Sequence, residues 1–394
     1  MNNGHSAWKT ADIVIVGAGV MGASIAFHLA KRKAGRIIIV DKEHVGRGGS
    51  GRSSALIRMH YSYPPEVELA LISLRMFENW REEVGEPGDF RKTGFVRIVH
   101  PNESDRLRRN VEMQRSLGAR VELLDRQHLH ALEPEWLVDD VELAAYEPDS
   151  GYGDGAGVAN DFLGCARELG VTYLSKTQVT SILADASAAR GVRTEHGDIE
   201  ARQVVVATGP WSRPLLCEAG FDPPIETEYH QVAILKNAPD MKGGGCACID
   251  SATATYFRPD AHDKFLVGDF YGQRPADPES FPQRASEDSL GEMIERACRR
   301  VPKLENAEVM RGVTGVYDMT PDSRPMLGEV PGTKNLYMCA GFSGMGFKIS
   351  PAIGLVMAEL LTDGRASSVD ITSFRPQRFA EGKPIKAEFE YVDD

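Results

Sequence analysis

The run Gly17-Ala18-Gly19-Val20-Met21-Gly22 places three glycines where a chain can fold tightly around a phosphate, and a single acid, Asp41, follows a short distance on. In such a pattern the first glycine permits the turn, the second lets a pyrophosphate approach the backbone, and the third lets a helix pack on a strand. A helix starting at Val20 and Met21 offers free N–H groups and partial positive charge to the phosphates. Asp41, with Lys42 beside it, suits a ribose hydroxyl. The pattern by itself does not separate NAD from FAD.

Further along, Gly48-Gly49-Ser50-Gly51-Arg52-Ser53-Ser54 carries many small, hydrogen-bonding groups, as a loop passing a large polar ligand should. Arg58 then stands inside an otherwise apolar approach. It is either a surface charge on a buried stem or a forked partner for a carboxylate. Near the other end, Gly341-Phe-Ser343-Gly344-Met345-Gly346-Phe-Lys348 is a second glycine-rich turn into a helix. It aims another set of N–H groups at one point, suited to the edge of a flavin where negative charge gathers on reduction.

Residues 12–16 and 36–40 are short continuous apolar runs, as parallel strands buried on both faces should be. A third buried run, residues 204–208, ends in Thr208-Gly209-Pro210-Trp211 and suits a crossover beneath a bound nucleotide; a strand starting at Val179 precedes it. Residues 93–99 and 142–146 read as strands, and 103–117, 158–169 and 286–300 as helices. Residues 229–235, 253–258 and 265–270 alternate like an antiparallel sheet with one covered face. The glycines and prolines of residues 311–328 predict a rigid loop, and the charged final residues a tail.

The 394 residues include 45 Lys+Arg and 57 Asp+Glu, a formal charge of −12, which argues against sequence-independent nucleic-acid binding. With 42% hydrophobic and 26% charged residues the composition is that of a globular protein, not a disordered, collagenous or disulfide-framework chain. No apolar run reaches the roughly 18–20 residues that span a bilayer, and residues 1–12 lack an apolar signal core. The six cysteines are scattered, and Cys246 and Cys248 have no second pair at zinc spacing. The expectation is a cytoplasmic protein with reduced thiols, no metal and no membrane span.

Gly17-x-Gly19-x-x-Gly22 with Asp41, Thr320-Pro321-Asp322-x-x-Pro325-x-x-Gly328, and Gly341-Phe-Ser343-Gly344-x-Gly346-Phe-Lys348 together resemble the D-amino-acid oxidase superfamily of flavoenzymes. The sarcosine oxidase and glycine oxidase branch is the most similar, over about residues 10 to 378. The resemblance implies an α/β, two-domain fold in which a Rossmann-like FAD-binding domain is interleaved with a mixed/antiparallel-sheet substrate domain. The implied FAD-binding segments are 10–90, 150–222 and 312–378, the substrate segments 91–149 and 223–311, and 379–394 a C-terminal tail. The cofactor-binding set is Gly17, Gly19, Val20, Met21, Gly22, Asp41, Lys42, Gly49, Ser50, Gly51, Ser53, Ser54, Val179, Thr208, Gly209, Trp211, Gly341, Ser343, Gly344, Met345, Gly346 and Lys348.

In sarcosine oxidases an Arg in the segment matching Arg58 and a Lys matching Lys348 hold the substrate carboxylate, and both positions are filled here. A small carboxylate-bearing amine is thereby implied as substrate. Monomeric sarcosine oxidases attach FAD through a cysteine where this chain has Gly315, so FAD held without a covalent bond is expected. Their lysine over the flavin is matched by Leu266, with Lys264 two residues away on the same face. Pocket histidines are replaced by Phe270 and Met345, which implies a less polar site with room for a bulkier N-substituent. Tyr256, Tyr317 and Phe270 are either aromatic walls of the site or core packing, and His60 is either a packed residue or a proton carrier. The implied reaction is oxidation of the C–N bond of glycine, an N-substituted glycine or a secondary amino acid, the imine then hydrolysing and oxygen being reduced to hydrogen peroxide. Two alternatives stand beside it: a dehydrogenase subunit passing electrons to a partner protein, and a catalytically silent FAD-binding protein.

Overall fold

The structure is a computed structural model that describes residues 10–185, 187–241, 245–261, 263–269 and 274–391. The apolar runs become the centre of a parallel sheet. Thr10–Val16 lies between Gly197–Val206 and Ile37–Val40, and Thr172–Leu174 follows at one edge. Side chains alternate across a strand, so Ile13, Ile15, Ile37 and Ile39 enter one core while Val14, Val16, Ile38 and Val40 enter another. The first is the helical layer holding Val20–Lys31, Gly155–Glu168 and Gly346–Asp363. Both faces are covered, which is why these strands are continuously apolar rather than alternating.

On its other flank Gly197–Val206 pairs first with Ala189–Thr194 and then, in parallel, with Leu336–Ala340, so chain from three distant regions meets in this sheet. A second sheet orders Glu308–Met319, Glu226–Lys236, Lys264–Asp269, Thr255–Asp260, Ala247–Asp250, Phe95–Ile98, Leu143–Glu147 and Glu122–Asp125. Its pairs are antiparallel except Ala247–Asp250 with Phe95–Ile98. One face packs Val96, Phe257, Phe265 and Val267 on the helix Glu287–Cys298. The opposite face gathers Phe95, Tyr256 and Leu266 with Leu56 of the first unit. This face roofs the site.

Two expectations change. Residues 311–328 are not a loop: Glu308–Met319 pairs along its length with Glu226–Lys236, and Met326–Glu329 with Leu336–Ala340, leaving only the short turn between them irregular. The prolines that suggested a loop, Pro321 and Pro325, fall in that turn. The boundary at 312 therefore lies inside a strand of the second sheet. Nor do residues 379–391 trail into solvent: Ile385 and Tyr391 are buried, Ile385 N–H donates to Asp322 Oδ2 at 2.8 Å, and the Phe389 carbonyl accepts from Asn110 Nδ2 at 2.8 Å.

The Thr320-Pro321-Asp322 motif ties these pieces together. Thr320 Oγ1 donates to the Arg324 carbonyl at 2.7 Å, and Asp322 takes Nε and Nη2 of Arg378 at 2.8 Å each. Burial would raise the Asp322 carboxyl, but the Arg378 hydrogen bonds and charge hold it below its usual value. Removing one member of a buried forked pair strands the other charge, at a cost of about 3–5 kcal/mol. Asp322→Asn is therefore expected to lower unfolding stability by about that amount in urea titrations; a loss below about 1 kcal/mol would show that the pair behaves like a surface one.

Candidate active site

The strand Thr10–Val16 delivers the chain to Gly17, whose φ of +103° lies in the region open to glycine. A Cβ there would collide with the Ala207 carbonyl. Gly22 packs on the Gly17 carbonyl and seats the helix Val20–Lys31 against the strand. Asp41 holds the turn from the neighbouring strand: Oδ2 accepts from Ala18 N–H at 2.6 Å and Oδ1 from Glu43 N–H at 2.7 Å. Burial raises its carboxyl, partly offset by those two N–H groups. Ser50 Oγ accepts the Val20 N–H at 2.9 Å, reaching the helix N-terminus from the opposite wall.

These groups line a cavity of about 700 Å³ that runs from the glycine turn, past Asp41, to the second glycine-rich turn. Of the expected cofactor residues, Gly17, Gly19, Val20, Met21, Asp41, Lys42, Gly49, Ser50, Ser53, Val179, Thr208, Gly209, Trp211, Gly344 and Gly346 face it. The others do not; apart from Lys348, described below, each is occupied elsewhere. Gly22 packs as described, Gly51 N–H donates to the Gly46 carbonyl at 2.8 Å, and the Ser54 carbonyl accepts from Arg258 Nε at 2.6 Å. Gly341 N–H donates to Asp318 Oδ2 at 2.6 Å, and Ser343 Oγ accepts the Thr320 N–H at 3.1 Å. The Met345 carbonyl accepts from the Tyr61 hydroxyl at 3.4 Å.

The cavity fits FAD. Trp211 Nε1 is a buried donor with no partner among the described residues, and Lys42 sits 4.4 Å over the same indole. Two helix N-termini, at Val20 and Gly346, open onto one space; neither N-cap residue, Gly19 or Met345, supplies a side-chain acceptor, and Ser50 takes only the Val20 N–H, leaving N–H groups for a pyrophosphate and a reducible ring. Gly344, at φ +78°, lies under the Tyr317 ring, where a Cβ would collide with it. Gly315 stands in the ladder opposite His230 and against Arg52, with no side chain to carry a flavin bond.

Sequence reasoning missed part of this wall. Asp318 lines the cavity and fastens the second turn; burial raises its carboxyl to about 6 against the pull of Gly341 N–H. Asp277, Glu279, Phe281 and Gln283 close the far side. No motif marks them, because they are brought in by the long connection after Lys264–Asp269.

The four expected catalytic residues lie at one end. Tyr317 borders the cavity, hydrogen-bonds to Tyr256 and stacks on His230 at 4.1 Å between ring centres. Tyr256 is buried against Leu56 and Leu266. Arg58 and Lys348 stand 4.7 and 5.9 Å from the centre of the Tyr61 ring. Arg58, Lys348 and Tyr256 do not line the cavity itself but sit behind it. Arg58 donates through Nη1 to the His60 carbonyl, while its buried Nε has no acceptor among the described residues. Lys348 is buried, and burial followed by the charge of Arg58 pushes its ammonium well below its usual pKa, with Glu66 acting in the opposite direction.

His60 is buried beside Tyr391 and its ring is held neutral by burial and by the Arg97 and Arg58 charges, so it is a packed residue. Leu266 is buried in the roof, and Lys264 faces Asp260 and Lys236 at the strand's end. Phe270 lies outside the described residues. Among those residues no group of His, Cys, Asp and Glu gathers as a metal site, and no helix is long and apolar enough to cross a membrane.

The family model described as FAD dependent oxidoreductase (DAO) matches residues 12–360. Glycine oxidase of Geobacillus kaustophilus is 27% identical over 92% of this chain and 96% of its own length. Dimethylglycine dehydrogenase of Rattus norvegicus is 24% identical over 95% of this chain, which spans only 45% of that longer protein. The crystal structure of L-proline dehydrogenase from P. horikoshii superposes with a TM-score of 0.89 at 27% identity, covering 96% of this chain and all of that one. With the glycine turn, the cavity and the interleaved sheets all in place, the chain belongs to the DAO family of FAD-dependent oxidoreductases and is an amine or amino-acid oxidoreductase with FAD as its cofactor.

Proposed function

We propose that the protein oxidises the C–N bond of a small amino acid, glycine, an N-substituted glycine or a cyclic secondary amino acid, whose carboxylate is held between Arg58 and Lys348. The observation that supports this most directly is the state of those two cations. They meet at one tyrosine ring, Lys348 is buried, and neither has a carboxylate within ion-pairing distance among the described residues. Charges in such a place are costly unless a ligand pairs with them. The guanidinium still has unused N–H groups in the forked arrangement that fits a carboxylate.

Anchoring the carboxylate fixes the carbon beside nitrogen relative to the cavity, and that fixed orientation replaces a chance encounter. Tyr317 borders the cavity, with His230 stacked on it and Tyr256 hydrogen-bonded behind it, an aromatic boundary that favours an amine carrying apolar substituents. FAD, when bound, supplies the acceptor for the hydride leaving that carbon. The resulting imine hydrolyses to an oxo acid and an amine when the Cα–N bond has been oxidised, or to an aldehyde and the amino acid when an N-alkyl carbon has. The resemblance to monomeric sarcosine oxidases matches their flavin-facing lysine to Leu266, whose surroundings are apolar, with Lys264 two residues away at the strand's end. This favours a protein electron acceptor over oxygen, and two of the similar proteins are named dehydrogenases.

Anaerobic addition of glycine, N-methylglycine, longer N-alkylglycines and proline to the FAD-loaded protein tests the reading. Bleaching of the flavin by one group, with slow recovery in air, is expected. A flavin that none of them bleaches discards this substrate class, and rapid recovery with peroxide formed restores oxygen as acceptor. Arg58→Ala should raise KM for the bleaching substrate at least about tenfold, the worth of a charge-assisted hydrogen bond, while leaving FAD content unchanged; an unaltered KM removes Arg58 from the site.

A pH dependence follows from Lys348. Its free ammonium is pushed down by burial and Arg58, and a bound carboxylate would raise it again, so binding takes up a proton. Affinity then falls as pH rises between the free and bound values. Acetate, which carries no amine of its own, should show a Kd that increases as pH rises through the lowered Lys348 value. Lys348→Met should flatten that slope; the same slope in both proteins would assign the proton elsewhere.

A further inference from the structure

The last described residues pack directly beneath the carboxylate clamp. Arg324 is their anchor: it pairs with Glu390, reaches Ser62 Oγ at 3.3 Å, and lies 3.4 Å from Glu66, the acid whose charge acts on Lys348. Asn110 holds the Phe389 carbonyl at 2.8 Å. These contacts deliver Tyr391, which is buried, to His60. The two rings stack at 5.8 Å and 18°, the Tyr391 hydroxyl is 2.9 Å from His60 Nε2, and the Arg97 guanidinium lies over the tyrosine ring at 4.9 Å.

His60 matters because of its backbone. Its carbonyl is the acceptor that Arg58 Nη1 uses, so the orientation of that peptide sets where the rest of the guanidinium points. The segment around it is held from three sides. Met59 N–H donates to Glu147 Oε2 at 2.9 Å, the Tyr61 carbonyl accepts from Gln114 Nε2 at 2.9 Å, and between them the only side-chain hydrogen bond to His60 among the described residues comes from Tyr391. His60 Nδ1 has no hydrogen bond and faces Glu147 Oε1 at 3.9 Å. In a neutral ring with its hydrogen on Nδ1, Nε2 accepts from the tyrosine hydroxyl.

We infer that Tyr391 is a positioning residue for the carboxylate clamp, fixing the His60 peptide and through it the direction of the Arg58 guanidinium. The inference rests on the reading of Arg58 as a carboxylate ligand and adds that the clamp is completed from the C-terminal end of the chain. Tyr391 acts on the clamp through the His60 peptide, so its effect is on affinity for the carboxylate and not on the flavin. A neutral hydrogen bond is worth about two- to tenfold in an equilibrium constant.

The test uses the full chain with FAD bound and acetate as the probe, read from the perturbation of the visible flavin spectrum. Arg58→Lys is the control for the underlying reading; Tyr391→Phe removes the hydroxyl and keeps the stack, and Tyr391→Leu removes both. Expected is a Kd for acetate raised about three- to tenfold in Tyr391→Phe and further in Tyr391→Leu. KM for the bleaching amino acid should rise in parallel, with kcat, FAD content and thermal midpoint of Tyr391→Phe at wild-type values. If Arg58→Lys weakens acetate and both Tyr391 variants bind it like wild type, the positioning role is overturned and the clamp stands. If Arg58→Lys also binds acetate like wild type, the clamp fails and the positioning role fails with it. A kcat loss in Tyr391→Phe without a change in acetate affinity would likewise overturn it.

Discussion

Two basic side chains, Arg58 and Lys348, placed around one tyrosine ring impose the constraint that organises this end of the molecule. Arg58 follows the loop that passes the cavity, and Lys348 lies in the first turn of the helix Gly346–Asp363, so each is carried by an element that also borders the cofactor space. Bringing like charges together in a buried place is unfavourable, and the surroundings limit the cost without cancelling it. The Tyr61 ring presents its face to both, Glu66 and Glu147 act from a distance, and Arg58 spends one N–H on the His60 carbonyl. What remains is an unfilled demand for negative charge. That demand, rather than any resemblance, is the physical argument for a carboxylate-bearing substrate.

The local signals were legible wherever a backbone conformation demanded a residue type. Gly17 could be read because a turn at φ +103° excludes side chains, and the same holds for Gly344 beneath Tyr317. The three central apolar runs were legible because burial on both faces leaves no polar positions. The wall formed by Asp277, Glu279 and Phe281 was not, since those residues occupy a connection whose placement depends on sheet pairing far away in sequence. The strand Glu308–Met319 was obscured by its glycines. Gly312 packs against Ala285 and Leu290, and Gly315 against Arg52, so each answers to a tertiary neighbour and not to a turn.

Several glycines and serines that look like cofactor ligands from spacing alone work one step further back. Gly341 and Ser343 are bound to Asp318 and Thr320, and their task is to hold the second turn so that Gly344 and Gly346 can face the cavity. Thr320 in turn is braced by Arg324, and Asp322 by Arg378. A motif recognised by its residues can therefore be structural throughout and still decide the geometry of the site. Spacing reveals that a turn is built; only the hydrogen bonds reveal which members build it and which face the ligand.

The same distinction applies to the end of the chain. A run as charged as residues 379–391 reads as solvated, because nothing in its own sequence supplies an apolar face with a period. Its partners are supplied instead by Asp322 and Arg324 in the turn of residues 320–324 and by Asn110. Arg324 touches both the turn and this segment, so the network that braces the second glycine turn also holds the segment under the clamp. The cofactor end and the carboxylate end of the site thus share one buried set of ion pairs. A disturbance there would reach both, whereas Tyr391 acts through His60 on the proposed carboxylate end.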